Sequence, residues 1–178
     1  MIYSNLGRNR DGQLGRYGYA ISQDGTVVAF TDVKSNPSAN VWVYTKSQNG
    51  SWIRSTCSSN VRNMGQNSYR NNVKVNADGT RLAIFYGSGV EIYERNLSST
   101  TYDYVSIGKI QRASANGDFD MDSSGNTIVL GRQGLVDIWK WNNVSTNWTK
   151  TLPSVKTSEA PAPLYFGSQV SISGDVSI

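Results

Sequence analysis

Residues 77–85 read Ala77-Asp78-Gly79-Thr80-Arg81-Leu82-Ala83-Ile84-Phe85, an Asp-Gly turn that leads directly into an apolar run. Asp-Gly is a strong signal for a tight β-hairpin turn, because glycine accepts the left-handed backbone that such turns need. Immediately before the turn, Val73 and Val75 are apolar at a spacing of two, which is typical of a half-buried strand. The stretch therefore predicts two antiparallel strands joined by a tight turn.

The same hairpin signal occurs at three places in the chain. Its glycines are Gly25, Gly79 and Gly125, which are 54 and 46 residues apart. After each apolar run comes a third strand that ends in aromatic residues, as at positions 41–44, and a fourth strand follows a further polar turn. Four short strands in each repeat are typical of a β-propeller blade, whereas a sandwich would not need the same order of elements three times.

We therefore expect an all-β protein with β-propeller-type blades of four antiparallel strands and no long helix. One propeller-like domain would span residues 1–178, with three full blades and the start of a fourth. The predicted blades are 14–56, 68–108, 114–152 and the incomplete 164–178. Since a ring closes with about four to eight blades, we expect a partial propeller that further blades, further copies or a protein partner completes.

The apolar residues that precede each turn predict the core. Because side chains alternate between the two faces of a strand, these residues are expected to occupy equivalent inward positions in successive sheets. They are Tyr19, Ile21, Val73, Val75, Phe119, Met121, Val170 and Ile172.

The fourth copy carries a resemblance to a known family. Residues 164–175 read Leu164-Tyr165-Phe166-Gly167-Ser168-Gln169-Val170-Ser171-Ile172-Ser173-Gly174-Asp175. This segment resembles the FG-GAP repeat of integrin-like propellers, and residues 17–22 and 147–150 are similar to its opening and closing motifs. The second copy departs from the pattern, because Arg70-Asn71-Asn72 stands in place of the Phe-Gly pair. The resemblance implies a propeller used for adhesion and for protein or glycan contacts, without catalysis.

Side chains suited to catalysis are scarce in the sequence. The chain has no histidine, which is the commonest general base, and no G-x-S-x-G, P-loop or C-x-x-C motif. We therefore expect no enzyme activity and no catalytic residue. The expected function is a non-enzymatic β-propeller module for protein–protein interaction, adhesion or structural assembly, in a cell-surface or secreted protein or in a virion component.

Two alternative functions follow from other residues. A glycan-binding lectin would use exposed Trp or Tyr side chains to stack on sugar rings, although packing between blades explains the same aromatics. A propeller hydrolase, the less favoured alternative, would use a pair of carboxylates brought together from different blades. The recurring aromatics are Trp42, Tyr44, Trp52, Tyr93, Trp139, Trp141 and Trp148.

Three aspartates at a spacing of two, Asp118, Asp120 and Asp122, are the candidate metal ligands. Carboxylate oxygens are suitable ligands for calcium. However, Asp118 and Asp120 alternate with the core-facing Phe119 and Met121, so both should face the opposite side of the sheet, and Asp122 lies at the turn. We expect that the three do not converge, and that the chain binds neither calcium nor another cofactor.

The remaining expectations concern modification and partners. Four Asn-x-Ser/Thr triplets predict candidate glycosylation sites in turns, at Asn49, Asn96, Asn143 and Asn147. The net charge is +4, but no nucleic-acid-binding motif contains the arginines, so we expect no nucleic acid partner. The sequence has no run of 18 apolar residues, so we expect no membrane insertion. The first residues lack the apolar region of a signal peptide, which leaves the compartment open, with a surface or virion location as the expectation.

Overall fold

The computed structural model describes eight segments of the chain, which together carry twelve β-strands. None of the described residues is helical, and so that part of the chain contains no helix long and apolar enough to span a membrane. The described segments are 13–33, 39–55, 73–86, 89–98, 101–111, 117–132, 134–156 and 166–174.

The twelve strands form three antiparallel sheets of four, and within each sheet the strands follow the order of the chain. The expected all-β architecture of propeller-type blades is therefore confirmed. The first sheet contains β1 (Gln13–Ile21), β2 (Val27–Val33), β3 (Ala39–Lys46) and β4 (Trp52–Ser55). The second contains β5 (Val73–Val75), β6 (Arg81–Tyr86), β7 (Gly89–Arg95) and β8 (Tyr104–Gln111). The third contains β9 (Phe119–Met121), β10 (Thr127–Arg132), β11 (Leu135–Asn142) and β12 (Asn147–Lys156).

The first turn of each sheet follows from its Asx-Gly or Ser-Gly sequence. In the second sheet the Asp78 carboxylate accepts hydrogen bonds from the backbone N–H of Thr80 at 2.9 Å and from its hydroxyl at 2.6 Å. Gly79 follows with φ of +69°, in the left-handed region that glycine occupies without cost. The aspartate side chain thus satisfies the turn backbone locally, which is the usual reason for aspartate at this position.

The sheets pack face to face, so that the second sheet is covered on both sides. Val27, Ala29 and Val43 of the first sheet pack against one face of the second, which presents Leu82 and Tyr93. A second cluster joins its other face to the third sheet. That cluster contains Ala83, Phe85, Val90, Ile92 and Ile110 from the second sheet, and Phe119, Met121, Ile128, Leu130 and Trp148 from the third.

Backbone hydrogen bonds also connect the first turns of successive blades. The N–H of Asp24 donates to the carbonyl oxygen of Ala77 at 3.3 Å, and the N–H of Ala77 donates to Ser123 at 2.9 Å. The N–H of Ser123 donates in turn to the carbonyl oxygen of Gly174 at 3.2 Å. We call the turn between the first and second strand of each sheet its inner turn, and the first strand its inner strand. These bonds connect the inner turns of all three sheets with residues 166–174.

Residues 166–174 lie against the third sheet as the inner strand of a following blade would. The N–H of Gly134 donates to the carbonyl oxygen of Phe166 at 3.0 Å, and Val170 and Ile172 are half-buried. Residues 164, 165 and 175–178 of the predicted fourth blade lie outside the described residues. The FG-GAP resemblance of this segment stays a prediction.

Of the predicted core residues, Val73, Phe119 and Met121 are buried and Val75 is half-buried, whereas those of the first sheet are exposed. Val73 and Phe119 are 2% and 0% exposed, whereas Tyr19 is 80% exposed and Ile21 is 62% exposed. The expectation that Tyr19 and Ile21 lie inward is therefore wrong. The strand register is nevertheless the same in all three sheets. Tyr19 and Ile21 lie on the face of the first sheet that no described residue covers, because the second sheet packs on the other face.

Candidate functional site

One position of the inner strand, five residues before the turn glycine, brings polar side chains together from successive blades. It is occupied by Ala20, Lys74 and Asp120, and Ser171 follows in the segment after the third sheet. The residues on either side of Lys74 and Asp120 face the preceding blade. By alternation along the strand, Lys74 and Asp120 therefore face the following blade, next to the inner strand there.

The carboxylate of Asp120 connects two neighbouring blades. Its Oδ1 lies 3.0 Å from the Nζ of Lys74, and its Oδ2 accepts hydrogen bonds from the backbone N–H of Ile172 at 3.1 Å and the Ser171 hydroxyl at 3.3 Å. The side chain of Lys74 is 35% exposed and that of Asp120 is 17% exposed. A half-exposed cation and a carboxylate thus share one small site. We call these three side chains, Lys74, Asp120 and Ser171, the inner-strand cluster.

The structure separates the three aspartates that were the calcium candidates. The Oδ1 of Asp118 accepts a hydrogen bond from the N–H of Phe119 at 2.9 Å. Asp122 is buried at the turn, where Oδ1 accepts from the N–H of Thr127 and Oδ2 from the hydroxyl of Ser124, both at 2.9 Å. Only Asp120 belongs to the inner-strand cluster. Within the described segments, no group of three or more His, Cys, Asp or Glu residues could hold a metal ion.

The four glycosylation candidates lie in or beside the turn between the third and fourth strand of each sheet. Asn49, Asn96, Asn143 and Asn147 are all exposed. The Oδ1 of Asn49 accepts a hydrogen bond from the N–H of Ser51, and that of Asn96 accepts from Ser98, each at 3.0 Å. These two side chains therefore stabilise their own turns, and the prediction of glycosylation stays open.

Two further carboxylates, Glu91 on β7 and Asp137 on β11, pair with cations on neighbouring strands of the same sheet. The Glu91 side chain is 10% exposed, lies 3.4 Å from the Nζ of Lys109, and accepts a hydrogen bond from the hydroxyl of Ser106 at 2.9 Å. Asp137 occupies the equivalent position in the third sheet and lies near Arg132 and Lys150. Because these partners satisfy the charges within the protein, the two sites are structural.

Sequence reasoning included Asp120 among its candidates but missed Lys74 and Ser171. The available signal was the shared offset from the turn glycine, which places Lys74 and Asp120 at the same position of successive repeats. That offset was used only to align the apolar neighbours. The pairing itself depends on how closely two inner strands approach, which the sequence does not state.

Three solved structures share the arrangement of this chain at low sequence identity. A "putative 6-phosphogluconolactonase" from Bacteroides fragilis superposes with a TM-score of 0.53 and 12% identity, over 76% of this chain and 37% of that one. Sqt1 from Saccharomyces cerevisiae gives 0.55 and 12%, over 82% and 36%. Hydrazine synthase from Kuenenia stuttgartiensis gives 0.52 and 14%, over 92% and 41%. This chain therefore spans less than half the length of each.

No protein-family model matches the chain, and no curated protein sequence matches it. The structural likeness therefore defines the class of the fold, that of the β-propellers.

The expectation of a non-enzymatic module for interaction, adhesion or assembly is contradicted by the comparison with the Bacteroides fragilis protein. The expectation rested on the FG-GAP resemblance and on the missing histidine and motifs, but the same arrangement of blades occurs in a protein named as an enzyme. Missing histidine and missing motifs do not exclude catalysis either, because carboxylates from different blades are brought together only by the fold. For the lectin alternative, which would use exposed Trp or Tyr, all five Trp side chains are buried or half-buried, whereas Tyr19 is 80% exposed.

Proposed function

We propose that this chain is part of a propeller hydrolase that opens the ring of a sugar lactone. The observation that carries the proposal is the inner-strand cluster, in which Lys74 and Asp120 stand 3.0 Å apart beside the hydroxyl of Ser171. The name of the Bacteroides fragilis protein supports the choice of substrate class. The likeness covers 37% of that protein. We therefore propose the activity for a complete propeller that includes this chain.

Opening a lactone requires a water molecule, a base and a group that stabilises negative charge. Water attacks the carbonyl carbon and loses a proton to the base, which gives a tetrahedral oxyanion. The bond between that carbon and the ring oxygen then breaks, and the ring oxygen takes up a proton to give the hydroxy acid. A positioned carboxylate can act as such a base, and a cation that contacts the oxyanion lowers the barrier.

Asp120 is our proposed base, because the chain has no histidine and this carboxylate lies beside a cation on the inner strands. The Ser171 hydroxyl and the Ile172 N–H hold one of its oxygens, which fixes the direction of the carboxylate. Lys74 is the proposed oxyanion donor. Its ammonium has three N–H groups, so it can contact Asp120 and the carbonyl oxygen of a substrate at the same time.

The test is hydrolysis of δ-gluconolactone and of its 6-phosphate by the purified chain, followed by proton release and corrected for spontaneous opening. We expect Asp120→Asn to lower kcat by about 10²–10⁴-fold, the range for loss of a general base. Lys74→Met should lower kcat by about 10²–10³-fold, as removal of an oxyanion donor does.

Lys109→Met is the matched control, since Lys109 also pairs with a carboxylate but lies on the outer strand β8. This control should retain the activity. Thermal unfolding of each variant separates loss of activity from loss of fold. A chain that does not exceed the spontaneous rate with either lactone contradicts the proposal, as does an Asp120→Asn variant with full activity.

A further inference from the structure

The repeat brings one side chain of each blade against the inner strand of the next, and at one of these junctions the side chain is a carboxylate. Between the third sheet and the segment that follows it, the Oδ2 atom of Asp120 accepts a hydrogen bond from the N–H of Ile172 at 3.1 Å. The same oxygen accepts a second hydrogen bond from the hydroxyl of Ser171 at 3.3 Å. One backbone N–H and the side chain before it thus hold an anionic oxygen at this junction.

The second sheet presents the same pair of donors to the first sheet. Lys74 occupies the position of Ser171 in the repeat, and Val75 occupies that of Ile172. The side chain of Lys74 is 35% exposed. Its ammonium has three N–H groups, so contact with Asp120 leaves donors for a second oxygen.

The direction of the Val75 N–H follows from the hydrogen bonds of the hairpin. In an antiparallel pair, successive residues of a strand alternate between bonding to the partner strand and pointing away from it. The N–H of Asn76 donates to the carbonyl oxygen of Arg81 at 3.1 Å, so the N–H of Val75 points away from β6. It is therefore directed to the inner edge of the sheet, as the N–H of Ile172 is where it meets Asp120.

Ala20 stands at this junction in the place that Asp120 takes at the later one. Its side chain ends at Cβ and has no acceptor, and it packs half-buried against the core between the first two sheets. The two junctions therefore share the donors and differ in the acceptor. The junction of the first and second sheets has a place for an anionic oxygen that the protein itself does not fill with a side chain from position 20.

We propose that the ammonium of Lys74 and the N–H of Val75 together form the oxyanion site of the lactonase, and that Ala20 is the residue that keeps this site open. The inference rests on the proposed function and adds to it a second donor and a specificity-determining residue. As the oxygen of water bonds to the carbonyl carbon, Asp120 takes the proton, and the charge that develops on the carbonyl oxygen is held by the two donors. After the ring bond breaks, the same site holds the carboxylate of the hydroxy acid.

Binding of gluconate, the hydroxy acid formed from δ-gluconolactone, tests the site without any reaction. In amide NMR spectra of the isotope-labelled chain, we expect the Val75 signal to move progressively and to saturate as sodium gluconate is added. Sodium chloride at the same ionic strength should leave the signal in place. A Val75 signal that does not respond to gluconate would overturn the proposal.

Ala20→Asp tests the role of the open place. Its carboxylate should contact Lys74 and the N–H of Val75 as Asp120 contacts its own two donors, and so exclude the substrate. We expect the variant to lose the gluconate response and to lower kcat/KM by about 10²–10³-fold, as loss of an oxyanion donor does. Gln23→Asp is the matched control, because it adds the same charge at an exposed position of the same blade. This control should keep the response and the activity.

A folded Ala20→Asp variant that still shows the response of the Val75 signal would contradict the assignment. Thermal unfolding establishes that the variant is folded, and the titration of the unmodified chain decides the question if it is not. The two readouts also separate this inference from the proposed function. Lactone hydrolysis without a Val75 response would leave the hydrolase and remove the oxyanion site. A Val75 response without hydrolysis above the spontaneous rate would leave an anion site at these two donors and remove the hydrolase.

Discussion

Asp137 on β11 shows how a buried charge is accommodated between two strands. Its Oδ1 lies 2.8 Å from the Nζ of Lys150 and its Oδ2 lies 3.2 Å from the Nε of Arg132, while its side chain is 8% exposed. Burial acts to raise the pKa of this carboxyl group. Hydrogen bonds from Lys150 and Ser154 and the two positive charges outweigh burial, so the pKa of Asp137 lies below its usual range.

We expect Asp137→Asn to lower the free energy of unfolding by about 2 kcal/mol at pH 7, because it leaves two cations partly buried without their counter-charge. The effect is smaller than for a fully buried pair, since both cations are about a quarter exposed. A carboxyl group with a lowered folded-state pKa stabilises the protein above its unfolded-state pKa, and this contribution is lost as pH falls through the folded-state value.

The difference between wild type and Asp137→Asn should therefore shrink below about pH 4. Urea unfolding at pH 7, 4 and 3 measures it. A difference that stays constant over this range would show that the charge of Asp137 is not what stabilises the strand pair.

The candidate site could be predicted from the sequence only in part. Strand alternation places Asp118 and Asp120 on the same face of the sheet, and only the structure shows that Asp118 and Asp122 are held by local hydrogen bonds apart from the contacts of Asp120. The contact between Lys74 and Asp120, which lie 46 residues apart in the chain, depends on the distance between two inner strands. Local pattern carries no information on that distance, because it is set by how the apolar faces of the blades pack.

At the scale of the element, the inner turns differ in how closely the preceding blade approaches. Gly25 and Gly79 have the same φ of +69°, so each would be strained by any side chain. A Cβ added at Gly25 meets no atom within 4 Å, whereas one added at Gly79 would overlap the side chain of Val27 in the first sheet. The two turns have the same backbone but different surroundings.

This pair separates backbone strain from packing. We expect Gly25→Ala to lower the free energy of unfolding by about 1 kcal/mol, the lower end of the cost of a left-handed non-glycine residue. Gly79→Ala should cost about 1–3 kcal/mol more, because overpacking displaces Val27 from the interface. Thermal and chemical unfolding of both variants provide the comparison. Equal costs would contradict the close contact between these two blades.

Sequence pattern was most informative at this scale. Tight turns with glycine at a fixed place and apolar runs after them are local features, and they located β2, β6 and β10 with their preceding strands. Pattern could not show which sheets have a neighbour on both faces. The residues Tyr19 and Val73 have the same local setting, and only the arrangement of blades makes one exposed and the other buried.

At the scale of the whole molecule, the second sheet is the most protected part of the described structure. It packs on both faces, and five consecutive residues of β7 from Gly89 to Tyr93 are buried. The first sheet packs through one face only among the described residues. Stability in stacked repeats is shared between neighbours, so a unit with two neighbours opens less often than a unit with one.

We therefore expect the backbone amides of β6 and β7 to exchange with solvent about 10-fold or more slowly than those of β2 and β3, equivalent to about 1.4 kcal/mol. Hydrogen-exchange mass spectrometry on the purified chain measures this difference. Equal protection of all three sheets would mean that the molecule opens only as a single unit.

The hydrogen bonds that run from Asp24 to Ala77, Ser123 and Gly174 have a consequence for remodelling this scaffold. They join each blade to the next through the turn between its first two strands, so they limit the rotation of one blade relative to its neighbour. The outer turns carry no such bond in the described structure, and β4, β8 and β12 differ in length at four, eight and ten residues. A foreign loop grafted at Asn143 and Val144 would therefore leave the pitch of the stack unchanged, whereas the same graft at Ser123 would alter it.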